Sequence, residues 1–352
     1  MIDFRYHLVS IVAVFLALAI GIVLGSTELQ GPAYNFLNQT TSKLQNELGQ
    51  VTSQRDAAQQ QATEGEMYAQ AVAPAMLHGL LTGHRLLIVT EPGAQPSVVS
   101  GISNAAAAAG ATVTGQINLQ PKFFDSSGTA QDSLNQTTVA VAQPGGIQLD
   151  SSATYQQQAA QVIASEILSA TPGSAATRSA GNPGTNTSTG GGTTTDAATM
   201  LQAYAASQFL STTGQPATPA TLAVVVTPQN PPSDGSSDQL DQVLIPLVQE
   251  LAAKSAATVV VGSSTGSGAG SPIAMLRSNN LSSQVSTVDD ADLAAGQTAA
   301  MQALAVRLAG GKAGSYGFTA NGASAIAPTP APTPTASAST TSTSPIKKKA
   351  ST

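Results

Sequence analysis

RLLIVT, residues 85–90, is the stretch that decides the fold. A short run of Leu, Ile and Val closed by Glu91-Pro92-Gly93 has the composition of a strand buried on both faces. The next segment, residues 96–109, reads as a helix stopped by Gly110. ATVTGQINL, residues 111–119, is a second strand with visible alternation. The pattern then repeats. Helices are expected over 154–170 and 196–210, a third strand at LAVVVT (222–227), and a helix over 239–254. A fourth strand follows at TVVV (258–261), a candidate fifth at VSTV (285–288), and a last helix over 294–309. Short β-branched runs alternating with helices predict an α/β fold with a mainly parallel sheet covered on both faces. The sequence thus predicts a Rossmann-like domain over residues 82–320. Two low-complexity segments stand apart from it. Residues 171–195, rich in Gly, Ser and Thr, read as a disordered insertion, and residues 325–352 as a disordered tail.

Upstream of the domain the periodicity changes. Leu37, Leu44 and Val51 recur every seven residues, with Leu48 on a companion position. This weak heptad predicts a helical, coiled-coil stalk over residues 32–80, opened by Pro32 and interrupted at Arg55 and Gly65. Its proline-free part, from Ala33 to about Ala73, would extend roughly 60 Å as a helix. It implies pairing with a second copy or with a partner coiled coil, against the plainer reading of a solvated spacer.

Farther upstream, LVSIVAVFLALAIGIVL (residues 8–24) has Ser10 as its one polar side chain. Its length matches a hydrocarbon core of about 30 Å. It is longer than a signal-peptide core and no clean A-x-A cleavage site follows it, so residues 8–25 are expected to be an uncleaved transmembrane helix. Arg5 precedes the run and Glu28 follows it, which predicts a cytoplasmic N-terminus (residues 1–7) and an extracytoplasmic domain. Ala17, Gly21 and Gly25 are spaced by four, the spacing at which small residues let another helix approach. Asp3 and Arg5 add charge that an anchor does not need. They are candidate contacts for a cytoplasmic or membrane-embedded partner.

Composition narrows the function. Cysteine is absent, so no disulfide framework exists, and the net charge of −6 disfavours nucleic acid. Gly262-Ser263-Ser264-Thr265-Gly266 matches G-x-S-x-G, yet all three histidines, His7, His78 and His84, lie upstream of it. A nucleophile elbow needs its His downstream, so no catalytic residue is assigned and the protein is read as no enzyme. The Gly-rich loop 262–270 lacks a Lys and a dinucleotide register, and reads as a surface loop. Met67, Met76, His78 and His84 are the best soft-metal candidates, but their spacing suits helix packing better. No metal or cofactor residue is assigned, and copper is the one metal worth testing. Asp289, Asp290 and Asp292 are expected to cap the last helix.

The opening Ile2-Asp3-Phe4-Arg5-Tyr6-His7, directly before the apolar run, is similar to the start of the actinobacterial MctB/SteB family. That family comprises MctB-type copper transport outer membrane proteins and the septal envelope protein SteB. Ser286-Thr287-Val288-Asp289-Asp290 and Gly314-Ser315-Tyr316-Gly317 resemble its closing pattern. The resemblance covers residues 1–320. The 171–195 insertion and the long tail depart from it. It implies an envelope protein in one of two roles: a coiled-coil scaffold or regulator in cell envelope assembly or division, or a component of a copper homeostasis channel. The first is the sequence expectation and the second its alternative. The family name implies the outer membrane, whereas the apolar helix implies a single-pass protein of the cell membrane.

Overall fold

The computed structural model describes residues 4–170, 197–229, 237–263, 271–278 and 280–317. The chain divides into two units, the first ending at Met67 and the second starting at Tyr68. Helix α1, Phe4–Leu77, is unbroken at Gly31-Pro32, where the sequence suggested a boundary between anchor and stalk. Proline's fixed φ is already helical, so it can stand inside a helix when the loss of one hydrogen bond is tolerated.

The second unit contains a seven-stranded sheet. Its strands are β1 (Arg85–Thr90), β2 (Thr112–Leu119), β3 (Leu210–Gly214), β4 (Leu222–Val226), β5 (Ala257–Val261), β6 (Ser286–Val288) and β7 (Ser315–Tyr316). Their spatial order is β3-β2-β1-β4-β5-β6-β7, and every pair is parallel except β2 with β3. The helices are α2 (Pro96–Ala108), α3 (Gly128–Gly145), α4 (Tyr155–Ile167), α5 (Ala197–Ala206), α6 (Ser237–Lys254), α7 (Pro272–Ser278) and α8 (Ala294–Leu308). The expected mixed α/β architecture with a mostly parallel sheet is therefore present.

Side chains alternate across a strand, so each buried strand feeds two cores. On one face Leu87, Val89, Ala223, Val225 and Val260 pack with residues of α3 to α7. On the other Leu86, Ile88, Val224, Val259 and Val261 pack with residues of α2 and α8 and with Leu77 of α1. This two-sided burial is why these strands read as continuous apolar runs. Helices α2 and α6, which leave β1 and β4, thus lie on opposite faces. That reversal makes the carboxyl end between β1 and β4 the usual ligand crevice of such sheets. Here a Cβ on Gly93 would stand 3.3 Å from Pro228 Cβ, so the crevice is narrow at that point.

Five elements differ from the sequence expectation. The helix expected over 196–210 stops at Ala206. Gln208 then takes a left-handed φ of 61°, and Leu210 starts the antiparallel edge strand β3. Helix α3 escaped notice because GTAQDSLNQTTVAVAQPG is mostly polar, although Ser127 caps it by accepting from Ala130 N. Leu134, Thr138 and Val141 of α3 are its buried stripe. Helix α7 and strand β7 are too short for periodicity to register. Residues 171–195 and 325–352, expected to be disordered, lie outside the described residues.

Candidate functional site

Among the described residues, the long helix and the carboxyl edge of the sheet can each anchor chemistry or recognition. In α1, residues Phe4–Gly25 form a span long and apolar enough to cross a membrane. Its large side chains are exposed, from Ile20 at 51% to Phe4 and Tyr6 at 79%. Burying one such side chain stabilises by about 1.5–3 kcal/mol, so this face is built for an apolar surrounding. A Cβ on Gly21 or Gly25 would meet nothing within 4 Å, leaving the small face open for close approach. Arg5 lies in the first turns of α1, while Asp3 lies outside the described residues.

Leu37, Leu44, Leu48 and Val51 are all exposed, between 53% and 66%. They share one side of α1. The polar side chains around them pair locally: Lys43 Nζ reaches Glu47 Oε1 at 3.9 Å, and Arg55 reaches Asp56 Oδ1 at 2.7 Å. Such exposed pairs contribute little stability. Because α1 is one helix, the azimuths of its faces can be compared. At 3.6 residues per turn Gly21 and Leu44 lie about 140° apart around the axis. The Ala17/Gly21/Gly25 face and the Leu/Val stripe therefore point to nearly opposite sides. One neighbouring helix cannot occupy both.

At the edge of the sheet Asp289 does not take the capping role expected of it. The N-cap of α8 is Leu293, with no side-chain bond. Asp289 turns inward instead, fully buried, with its Oδ2 2.8 Å from Arg277 Nη1. Arg277 also donates from Nε to Thr287 Oγ1 at 3.0 Å and from Nη2 to the Tyr316 carbonyl at 2.9 Å. One guanidinium thus ties α7, β6 and β7 together. A Cβ on Gly317 would overlap the Asp289 carboxylate, and one on Gly296 would overlap the Asp290 carbonyl. The two closing motifs, STVDD and GSYG, are explained by this packing. Sequence reading missed Arg277, whose signal was an isolated Arg in the apolar segment PIAMLRS.

The metal candidates stay apart in character. Met67, Met76 and His78 are exposed. His84 is half-buried at the start of β1, with Nδ1 3.3 Å from Thr221 Oγ1, and burial lowers its pKa below the ordinary 6.5. Among the described residues no three His, Cys, Asp or Glu side chains gather to hold a metal ion. Of the Gly-rich loop, residues 264–270 lie outside the described residues. Gly262 is crowded, since a Cβ there would stand 2.7 Å from Thr227 Oγ1.

The described residues define a class: a chain with a membrane-length apolar helix, a long exposed helical continuation and a mixed α/β domain. Residues 1–328 match the family model described as "Copper transport outer membrane protein, MctB". The chain belongs to the MctB family. It is 26% identical over 332 residues to proteins of Mycobacterium tuberculosis and Mycobacterium bovis, each named "Copper transporter MctB". Those alignments cover 93% of this chain and 99% of each relative. The Mycobacterium leprae protein of the same name is 26% identical over 329 residues, with the same coverage.

Proposed function

We propose that this chain is a non-enzymatic, single-pass envelope protein that serves copper homeostasis by assembling through its long helix. The observation that carries the reading is the end-to-end match to relatives named copper transporters. Copper is then cargo. A single apolar helix cannot line a path for an ion, so the role requires several copies or a partner. The two opposed faces of α1 supply that: the Leu37/Leu44/Leu48/Val51 stripe acts as a coiled-coil seam, and the Ala17/Gly21/Gly25 face packs a second neighbour in the membrane. Arg5 before the apolar span favours a cytoplasmic N-terminus, beside which Asp3 and Arg5 meet a partner. The domain beyond is extracytoplasmic and Rossmann-like, its parallel strands β1, β2, β4, β5 and β6 running 2-1-3-4-5 in space.

A second reading is a coiled-coil scaffold in envelope assembly or division. The exposed Leu/Val stripe favours it, being a protein-contact surface and not a ligand site. A deletion strain separates the two. Copper tolerance and cell separation are measured together in that strain. Lost copper tolerance with normal separation supports the copper role. Chained cells with unchanged copper tolerance would replace it with the scaffold.

A further inference from the structure

A cleft of about 620 Å³ lies over the β1–β2–β3 end of the sheet, beside α2. Its size is that of a small-ligand site. Ile88, Val99 and Val113 give it an aliphatic floor, and Ser100, Ser103 and Thr213 stand at its rim. Thr90, Gln116 and Asn118 line it from the strands, and no lining residue is charged. Gln116 and Asn118 are two apart on β2 and so share a face, where Gln116 pairs with Thr213 and Asn118 with Ser211 across the antiparallel edge. Gly115 keeps the edge close, since a Cβ there would stand 2.7 Å from Thr213 O and Pro216 N.

The polar groups are pre-arranged. Thr90 Oγ1 donates to Asn118 Oδ1 at 2.8 Å, and Gln116 Nε2 donates to the same oxygen. That oxygen is thus filled from two sides. Asn118 Nδ2 is left as a donor with only a 3.5 Å contact to Ser211 Oγ, and Gln116 Oε1 as an acceptor. Paired amide donors and acceptors above an aliphatic floor match a molecule with many hydroxyls and apolar ring faces. With no cation in the cleft and a chain of net charge −6, an anionic ligand is disfavoured.

We propose that this cleft binds a neutral glycan segment of the cell envelope. The source named here rests on the extracytoplasmic placement proposed above, but the binding itself does not. The test is calorimetric titration of the full chain in nanodiscs with tetra-N-acetylchitotetraose, with a neutral galactan oligosaccharide, and with tetra-alanine. Saturable binding of either sugar is expected, and which one binds identifies the polymer. Thr213→Trp, at an exposed rim position, and Asn118→Leu should each weaken it about tenfold. The melting temperature of Thr213→Trp should stay at the wild-type value, which separates blocking from unfolding. No saturable sugar binding, binding unchanged in both variants, or preference for the peptide would overturn the proposal. None of these outcomes touches the copper reading, which is measured in cells.

Discussion

Asp289→Ala should be among the most damaging single changes outside the apolar core. Asp289 is fully buried, and the Arg277 side chain it pairs with is 8% exposed. Removing the carboxylate leaves a guanidinium nearly out of water with two neutral acceptors, Thr287 Oγ1 and Tyr316 O. Breaking one side of a buried pair costs about 3–5 kcal/mol, because the remaining charge is uncompensated. The loss falls on β6 and β7, which Arg277 joins to α7. Arg277→Met combined with Asp289→Leu removes both charges. It should recover at least half of that loss, since a buried pair is itself worth little against apolar replacements. Urea denaturation of the full chain in detergent, followed by near-UV circular dichroism, gives the differences between variants. If Asp289→Ala stays within about 1 kcal/mol of wild type, the pair is not the buried tie described here. A double variant less stable than Asp289→Ala would equally refute the reasoning.

Three further outcomes follow from other parts of the chain. Gly296→Ala should unfold or severely destabilise the domain, because its Cβ would overlap the Asp290 carbonyl; a wild-type melting temperature would show that the α8 entry relaxes freely. His84 has its pKa lowered by burial, so the unfolded chain binds its proton more readily. Its contribution to stability is present above pH 6.5 and is lost as pH falls through the lower folded value, so melting temperature should drop on acidification and His84→Gln should flatten that drop. Leu44→Asp with Leu48→Asp should abolish crosslinking of α1 to other copies or partners, because charges in a packed seam would be desolvated; undiminished crosslinking leaves only a solvated spacer.

The strands β1, β4 and β5 were legible because both their faces are buried, which makes each a nearly continuous apolar run. Strand β3 was not, because its burial comes only from Leu210, and its other residues face outward with no alternation to read. The left-handed Gln208 that separates it from α5 has no signature in sequence, since Gly or Asn is the usual residue there. That Leu37, Leu44, Leu48 and Val51 lie in a helix was legible from spacing, but their azimuth relative to the small-residue face was not. Pro32 suggested two helices, and only a continuous α1 fixes the two azimuths against each other. Asp289 misled because acidic residues before a helix usually cap it. Its partner Arg277 lies in another element, and sequence spacing carries no information about that contact.

The central claim is that copper handling depends on assembly through α1. The most direct measurement is copper tolerance of a deletion strain complemented with either the wild-type chain or the Leu44→Asp/Leu48→Asp variant, at equal membrane abundance. The account predicts that the wild-type chain restores tolerance and the variant does not. Restoration by both would contradict the helix-assembled mechanism, and failure of the wild-type chain to alter tolerance would contradict the copper function itself.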